Sequence, residues 1–286
     1  MSEQIIERHI YHAEATAIKG HLTLPLEQRI YPQARVSLGP EGGYLAHRSA
    51  SFRTEEVIRY DAAYSQVAGN VDSKPGRPWN TLVTSVVEGL NILEVLTADR
   101  IVAQISTSHP RDGYIPAVDF LGTRFEGLRI AGHPVKLELD LNVLGDRPAP
   151  GAPYIGESEF MERVKRQHAC ILDADGVPEE VADRYRQTYQ ATQDAEDNRL
   201  DSVECSLVTQ AEGGYPGRTY CHVIDVPNFG KIYLGVLRVL QSDYKIETGI
   251  PRCTTLDLTM IECKFGCSIG GQSGTGNAVV NGQGKP

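Results

Sequence analysis

The sequence predicts a mainly β protein, an antiparallel sandwich, barrel or solenoid carrying one helical insertion at about 157–200. Three observations lead there. Apolar and polar residues alternate in many short runs; Gly, Pro, Asp and Asn cluster between the runs; and the alternation stops across one charged stretch before it resumes.

In chain order, "IKGHLTL" (18–24) alternates around Lys19, His21 and Thr23. Ile58, Tyr60, Ala62 and Tyr64 are expected on one face of a strand, opposite Arg59, Asp61 and Ser65. The segment Thr81 to Thr107 is rich in Val, Ile and Thr and reads as two or three strands, or strands with a short helix, punctuated by Gly89 and by the polar run Thr97 to Arg100. "VKLELDLNV" (135–143) is the clearest case, with Val135, Leu137, Leu139, Leu141 and Val143 alternating against Lys136, Glu138, Asp140 and Asn142. Turns are expected at "GPEGG" (39–43), "DSKPGRP" (72–78), "HPRDG" (109–113), "AGHP" (131–134) and "GDRPAPGAP" (145–153).

From Glu157 to about Leu200 the pattern becomes helical. Ser158 is a candidate cap for a first helix. In a second helix, Pro178 and the glutamates after it suit the first turn, and Val181, Tyr185, Tyr189 and Thr192 form a narrow stripe. Alternation returns in "TYCHVIDV", "KIYLGVLRVL" and "CTTLDLTMIEC", where Leu256, Leu258 and Met260 oppose Asp257 and Thr259. Because the β pattern resumes, residues 1–286 are read as a single β-rich domain. "NILEVLTADRIV" and "YLGVLRVLQSDYKI" share a texture too loose to count as a repeat. Residues 270–286 are expected to form a flexible glycine-rich tail, or a loop before a short final strand.

Composition narrows the function. Of 286 residues, 41% are hydrophobic and 23% charged, which is ordinary globular usage. A net charge of -9 without any Lys/Arg run argues against nucleic acid and anionic bilayers as partners, since both demand concentrated positive charge. The first residues lack a basic region followed by an apolar run, and no window approaches the roughly 18 apolar residues of a membrane span, so a soluble, cytoplasmic protein is expected. The alternative is an exported protein whose signal has been removed. Cys170, Cys205, Cys221, Cys253, Cys263 and Cys267 are read as thiols, with a disulfide if the protein is exported.

No stretch assembles a reaction centre. Gly271 and Gly276 have the glycine spacing of a phosphate loop, but Asn277 and Ala278 stand where it needs Lys and Ser/Thr. Cys253, Cys263, Cys267 and the adjacent Cys221-His222 could supply zinc ligands, but the Cys263–Cys267 spacing is not that of a zinc knuckle. "SIGGQSG" misses the nucleophile-elbow spacing by one position. The histidines (His9, His12, His21, His47, His109, His133, His168, His222) are dispersed and read as surface or capping residues, with His109 and His133 in turns before proline. Glu55-Glu56 and Asp173-Asp175 are possible cation or acid/base pairs, but "DADGVPEEVADR" lacks the fifth and twelfth ligands of a calcium loop and reads as a turn before a helix. Trp79 and the tyrosines are expected in a β core, or lining a pocket. No catalytic, cofactor-binding or metal-binding residue is assigned.

Two stretches, "NTLVTSVVEGLNILEVLTADRIVAQIST…FEGLRIAGHPVKL" and "FGKIYLGVLRVLQSDYKI…TTLDLTMIECKFGCSIGG", resemble the bacterial choice-of-anchor P proteins across about two thirds of the chain. The resemblance rests on "LxxL…TAD" and "GLxVxGxPV" phrases and a glycine-rich end. It implies a β-rich surface or structural role and no catalytic residues. The helical insertion, and the lack of a recognisable export signal or anchor, depart from that pattern. The expected function is therefore a non-enzymatic structural protein acting by self-assembly, as a homo-oligomer or with a protein partner. The alternative is a small-molecule binding protein or enzyme with a pocket in a β barrel or sandwich.

Overall fold

Alternation fixes which side of a strand faces the core, and the longest alternating runs form the middle of each sheet. The structure, a computed structural model, describes residues 9–24, 27–70, 77–110, 115–149, 152–193, 202–242, 253–266 and 270–284. Its strands begin with β1 (His9–Leu22), β2 (Gln28–Gln33), β3 (Val36–Ser37), β4 (Gly43–Ser49), β5 (Phe52–Thr54), β6 (Ile58–Tyr60) and β7 (Ala62–Gly69). Next come β8 (Trp79–Ile92), β9 (Leu96–His109), β10 (Ala117–Asp119), β11 (Arg124–Glu126), β12 (Arg129–Ile130), β13 (His133–Pro134) and β14 (Lys136–Leu139). The helices α1 (Ser158–Leu172) and α2 (Glu179–Gln193) follow. The chain continues with β15 (Ser202–Ser206), β16 (Val208–Glu212), β17 (Arg218–Tyr220), β18 (Val223–Val226), β19 (Gly230–Ser242), β20 (Cys253–Phe265) and β21 (Gly271–Gly284).

All pairings among the described residues are antiparallel, and two large sheets face each other as a sandwich. In the first, β19, β20, β21 and β1 run side by side. Short strands flank them, β18 and β15 along β19 and β2 and β3 along β1. In the second sheet the β8–β9 hairpin is central. It is flanked by β6 and β7 on one side and by β10, β11 and β12 on the other, with β4 outside β7. Leu256, Leu258, Ala278 and Val280 of the first sheet share one apolar core with Val83, Val87, Ile101 and Ile105 of the second.

Each long strand changes phase once along its length. Core-facing residues run Trp79, Val83, Val87 and then Leu90, Ile92 in β8; they run Ile232, Leu234 and then Leu237, Val239 in β19. The turning points in β8, β19 and β21 are Gly89, Gly235 and Gly276, with φ of 64°, 60° and 64°. That left-handed conformation is cheap only for glycine. Register is kept across the kink, since Glu88 opposes Arg100 and Leu90 opposes Ala98. The kinks align across neighbouring strands, where the first sheet bends over the second.

The phase changes correct several expectations. Ile58 and Tyr60 are buried, but after the bend at Asp61 the buried set is Ala63, Ser65 and Val67, so Ala62 and Tyr64 do not share their face. Thr97 to Arg100 lies inside β9; the hairpin turns at Leu93 and Glu94, both at positive φ. The alternation in 135–143 is real, but only Lys136–Leu139 is strand, paired with β16 in a separate two-stranded sheet. "TYCHVIDV" is broken at Cys221-His222 into β17 and β18.

The expected flexible tail at 270–286 is the largest correction. Gly271–Gly284 is a fourteen-residue strand between β20 and β1. Glycine scarcity of side chain hides it from a pattern search, while close packing explains it: a Cβ on Gly276 would stand 3.1 Å from Met260 and 3.3 Å from Ile101 of the opposite sheet.

The helices fall within 157–200, as the sequence places them, and they pack on the outer face of the first sheet. Glu157, not Ser158, is the cap residue of α1. Phe160 and Val164 of α1 enter the main core, whereas Ile171 joins Val181 and Tyr185 of α2 in a second core against Tyr220, Val223, Tyr233 and Val236. The Gln167 amide grips β15, donating to the Ser206 carbonyl at 2.8 Å and accepting from the Ser206 amide at 2.9 Å.

Candidate functional site

Strand alternation that sends Leu and Val inward on β19 and β20 sends Arg238, Asp257 and Glu262 outward, beneath and beside the helical hairpin. Four charges meet there. Arg184 of α2 contacts Glu204 at 2.6 Å and Glu262 at 2.7 Å, and Arg238 contacts the same two carboxylates at 2.9 and 2.7 Å. Each carboxylate thus lies between two guanidiniums, and the group is neutral overall. The Arg184 side chain is 12% exposed and its guanidinium lies 4.0 Å from the centre of the Tyr233 ring. Burial by itself would raise the Glu262 carboxyl, but hydrogen bonds and charge from Arg184 and then Arg238 hold it down at about 2.

Beside this network a cleft of about 860 Å³ opens over β1, β20 and β21. Its lining includes Lys19, Arg29, Arg238, Asp257, Glu262 and Asn277. Asn277 is fixed: its Oδ1 accepts from Thr259 at 2.9 Å, and its amide donates to the carbonyls of Thr16 and Gly274. Asp257 is less well satisfied, because its Oδ1 is buried with no hydrogen-bond partner among the described residues. Burial raises its carboxyl against the pull of Arg238 and Lys19.

The histidines divide in a way that dispersion in sequence did not suggest. His9, His109, His168 and His222 are buried, which corrects the surface or capping role expected of all eight. At one end of the sandwich, His9 stacks on Trp79 with ring centres 5.2 Å apart and lies 4.8 Å from His109. Burial depresses His9 to about 4, and burial with the charges of His9 and Arg147 depresses His109 to about 3. Under the hairpin, His222 lies 2.9 Å from the Tyr185 hydroxyl and His168 2.8 Å from the Glu204 carbonyl. His222 is pushed down to about 3 by burial, then by Arg184 and His168. Tertiary contacts between elements distant in sequence make both groupings, so spacing along the chain carried no signal of them.

The other candidates separate. Cys253 and Cys263 sit at opposite parts of β20, and Cys267 lies outside the described residues. No group of three or more His, Cys, Asp or Glu converges among the described residues. Gly271 to Gly276 is strand, with ladders to β20 and β1. Glu55 and Glu56 form the turn between β5 and β6, and Asp173 ends α1. Trp79 is in the core. No helix among the described residues is long and apolar enough to cross a membrane.

The second sheet ends on an unusual edge. Among the described residues β4, "GYLAHRS", is paired only with β7, and Tyr44 to Arg48 are all exposed, Tyr44 at 65% and Leu45 at 49%. Other edges are short, like β5 and β13, or carry proline, like β2 with Pro32. Those are ordinary protections against edge-to-edge pairing, and β4 has none of them.

Residues 9–240 match the family model described as Domain of unknown function (DUF8256). The chain belongs to that family. The DUF8256 match covers β1 to most of β19, yet β20 and β21, which stand between β19 and β1 in the sheet, lie beyond it. No curated protein and no solved structure matches the chain.

Proposed function

We propose that the protein is a non-enzymatic interaction module that self-associates by antiparallel pairing of β4 with β4 of a second copy. The observation that carries this is the open seven-residue edge and its self-complementarity. In a pairing centred on Ala46, Tyr44 of each copy lies opposite Arg48 of the other, and Leu45 opposite His47. Tyr44 and Arg48 project from the same face, so two cation–π pairs form about one two-fold axis while backbone groups complete the ladder. The resemblance to choice-of-anchor P proteins points to the same structural role. Sedimentation velocity tests it: the wild type runs as a dimer and Ala46→Glu, which sets two like charges opposite each other, runs as a folded monomer. A wild type that stays monomeric at every workable concentration, or a variant that stays dimeric, removes the reading.

A second reading rests on Asp257. Its unpartnered carboxylate oxygen, in a cleft with Lys19 and Arg238 at hand, suits a small polar ligand. A native mass spectrum of protein purified without chelator reports this directly, because a reproducible adduct that is lost in Asp257→Ala supports the cleft, and bare protein counts against it.

A further inference from the structure

Cys170 and Cys221 are distant in sequence and adjacent in space. Cys170 is exposed on the last turn of α1. Cys221 occupies the two-residue turn between β17 and β18, where its thiol lies within hydrogen-bonding reach of Cys170 and 3.3 Å from the Thr209 carbonyl. Their surroundings hold them together, since Ile171 and Leu172 from the helix and Tyr220 and Val223 from the hairpin pack in the same small core as Cys221. Cys221 has φ of 58°, a conformation for which glycine is the ordinary choice. The backbone there presents a side chain where the turn itself needs none.

From this geometry we propose that Cys170 and Cys221 form an oxidation site, closing to a disulfide that ties the helical hairpin to the sheet when the protein meets a low-molecular-weight disulfide such as oxidised glutathione. The Cys170 thiolate, the accessible one, attacks the glutathione disulfide, forming a mixed disulfide and releasing one glutathione thiolate. Cys221 then gives its proton to solvent and attacks the Cys170 sulfur. The Cys170–Cys221 bond forms, the sulfur–sulfur bond to glutathione breaks, and a second glutathione thiolate leaves. Two protein thiols are oxidised by two electrons, and one oxidised glutathione is reduced to two thiols. Burial, which persists once Cys170 is held in the mixed disulfide, pushes the Cys221 thiol up, so the second step is the slow one and quickens with pH. Cys205 and Cys263 are fully buried thiols raised in the same direction by burial, with no route for the oxidant.

The test treats the reduced full-length protein with oxidised glutathione, then measures intact mass, a non-reduced peptide map and melting temperature. Expected are a mass loss of about 2 Da, a peptide linking Cys170 to Cys221, and a rise in Tm of about 5–10 °C reversed by dithiothreitol, because the bond closes a loop of about fifty residues. Cys221→Ser should stall with one glutathione on Cys170, and Cys170→Ser, at an exposed helix position, should stay unmodified at either site. A wild type that keeps a stable glutathione adduct on Cys170 without closing overturns the proposal, as does a disulfide linking any other pair.

Discussion

The two faces of the first sheet are covered in different ways. Its inner face meets a second sheet mainly through Leu, Val and Ile, with small hydroxyl residues such as Thr107, Ser273 and Thr275 buried among them. Its outer face meets α1 and α2 through seven apolar residues, a ring of four charges and two buried histidines. The inner contact is non-directional, and its pH dependence is confined to His9 and His109 at one end. The outer contact depends on protonation state and on every partner being present. A single sheet thus joins a robust layer to a conditional one, and the conditional layer carries the helices, the cleft and the paired thiols.

Acid should separate the two layers most strongly. His222 titrates near 6.5 in the unfolded chain and near 3 in the folded one, and burial lowers His168 as well, so the unfolded chain takes up protons first. The stability that His222 leaves intact above pH 6.5 therefore drains as pH falls toward about 3, at about 1.4 kcal/mol per pH unit, and His168 acts in the same direction. Glu262 adds a second window, intact above about 4.5 and lost as pH falls toward about 2. Limited proteolysis at pH 5 should cut near the α1–α2 connection before it cuts the sandwich. His9 and His109 impose the same sign of dependence on the sandwich end, so simultaneous cleavage of both regions would break the comparison.

Arg184→Ala is the next largest test. It leaves Glu204 and Glu262 beneath α2 with only Arg238 between them, and breaking a buried ion network in this way costs about 3–5 kcal/mol. Leu258→Ala, on the inner face of the same sheet, costs about 2–5 kcal/mol by opening a cavity. Size alone does not distinguish them, but pH does. In urea melts the Arg184→Ala cost should shrink as pH falls from about 4.5 toward about 2, where Glu262 loses its charge and its gain from Arg184, whereas the Leu258→Ala cost should stay level. A flat profile for both would place the outer layer in the same class as the inner one.

The difference between the layers also explains what was legible in the sequence. Strand alternation and turn residues marked an antiparallel β fold without choosing among sandwich, barrel and solenoid, and the Pro178-Glu179-Glu180 start with the Val181–Tyr185 stripe marked α2, because these are local properties of consecutive residues. The phase of the alternation was lost beyond Gly89 and Gly235, since one left-handed residue exchanges the two faces without changing the residue types. β21 was hidden for a related reason: Gly271, Gly274 and Gly276 are read as flexibility until the close approach of Met260 and Ile101 is known. The outer layer was least legible. Arg184, Glu204, Arg238 and Glu262 come from one helix and three strands, and nothing in their spacing joins them.

Tyr185→Phe is the finest probe, because it removes one oxygen. The Tyr185 hydroxyl lies 2.9 Å from His222 Nε2, both residues are fully buried, and Nδ1 of the same ring has no partner among the described residues. Water cannot replace the lost bond without entering the second core, so the variant should lose about 1–2 kcal/mol in a urea melt at pH 7. Tyr60→Phe is the matching control for the sandwich. Its hydroxyl lies 2.9 Å from Ser49 Oγ, half-buried at the end of β4, and that serine can turn to the Ala50 carbonyl or to water, so the cost should stay below about 0.5 kcal/mol. Equal losses at the two sites would mean that water reaches His222 as readily as it reaches Ser49, and the outer layer would then be a wet surface contact instead of a second core.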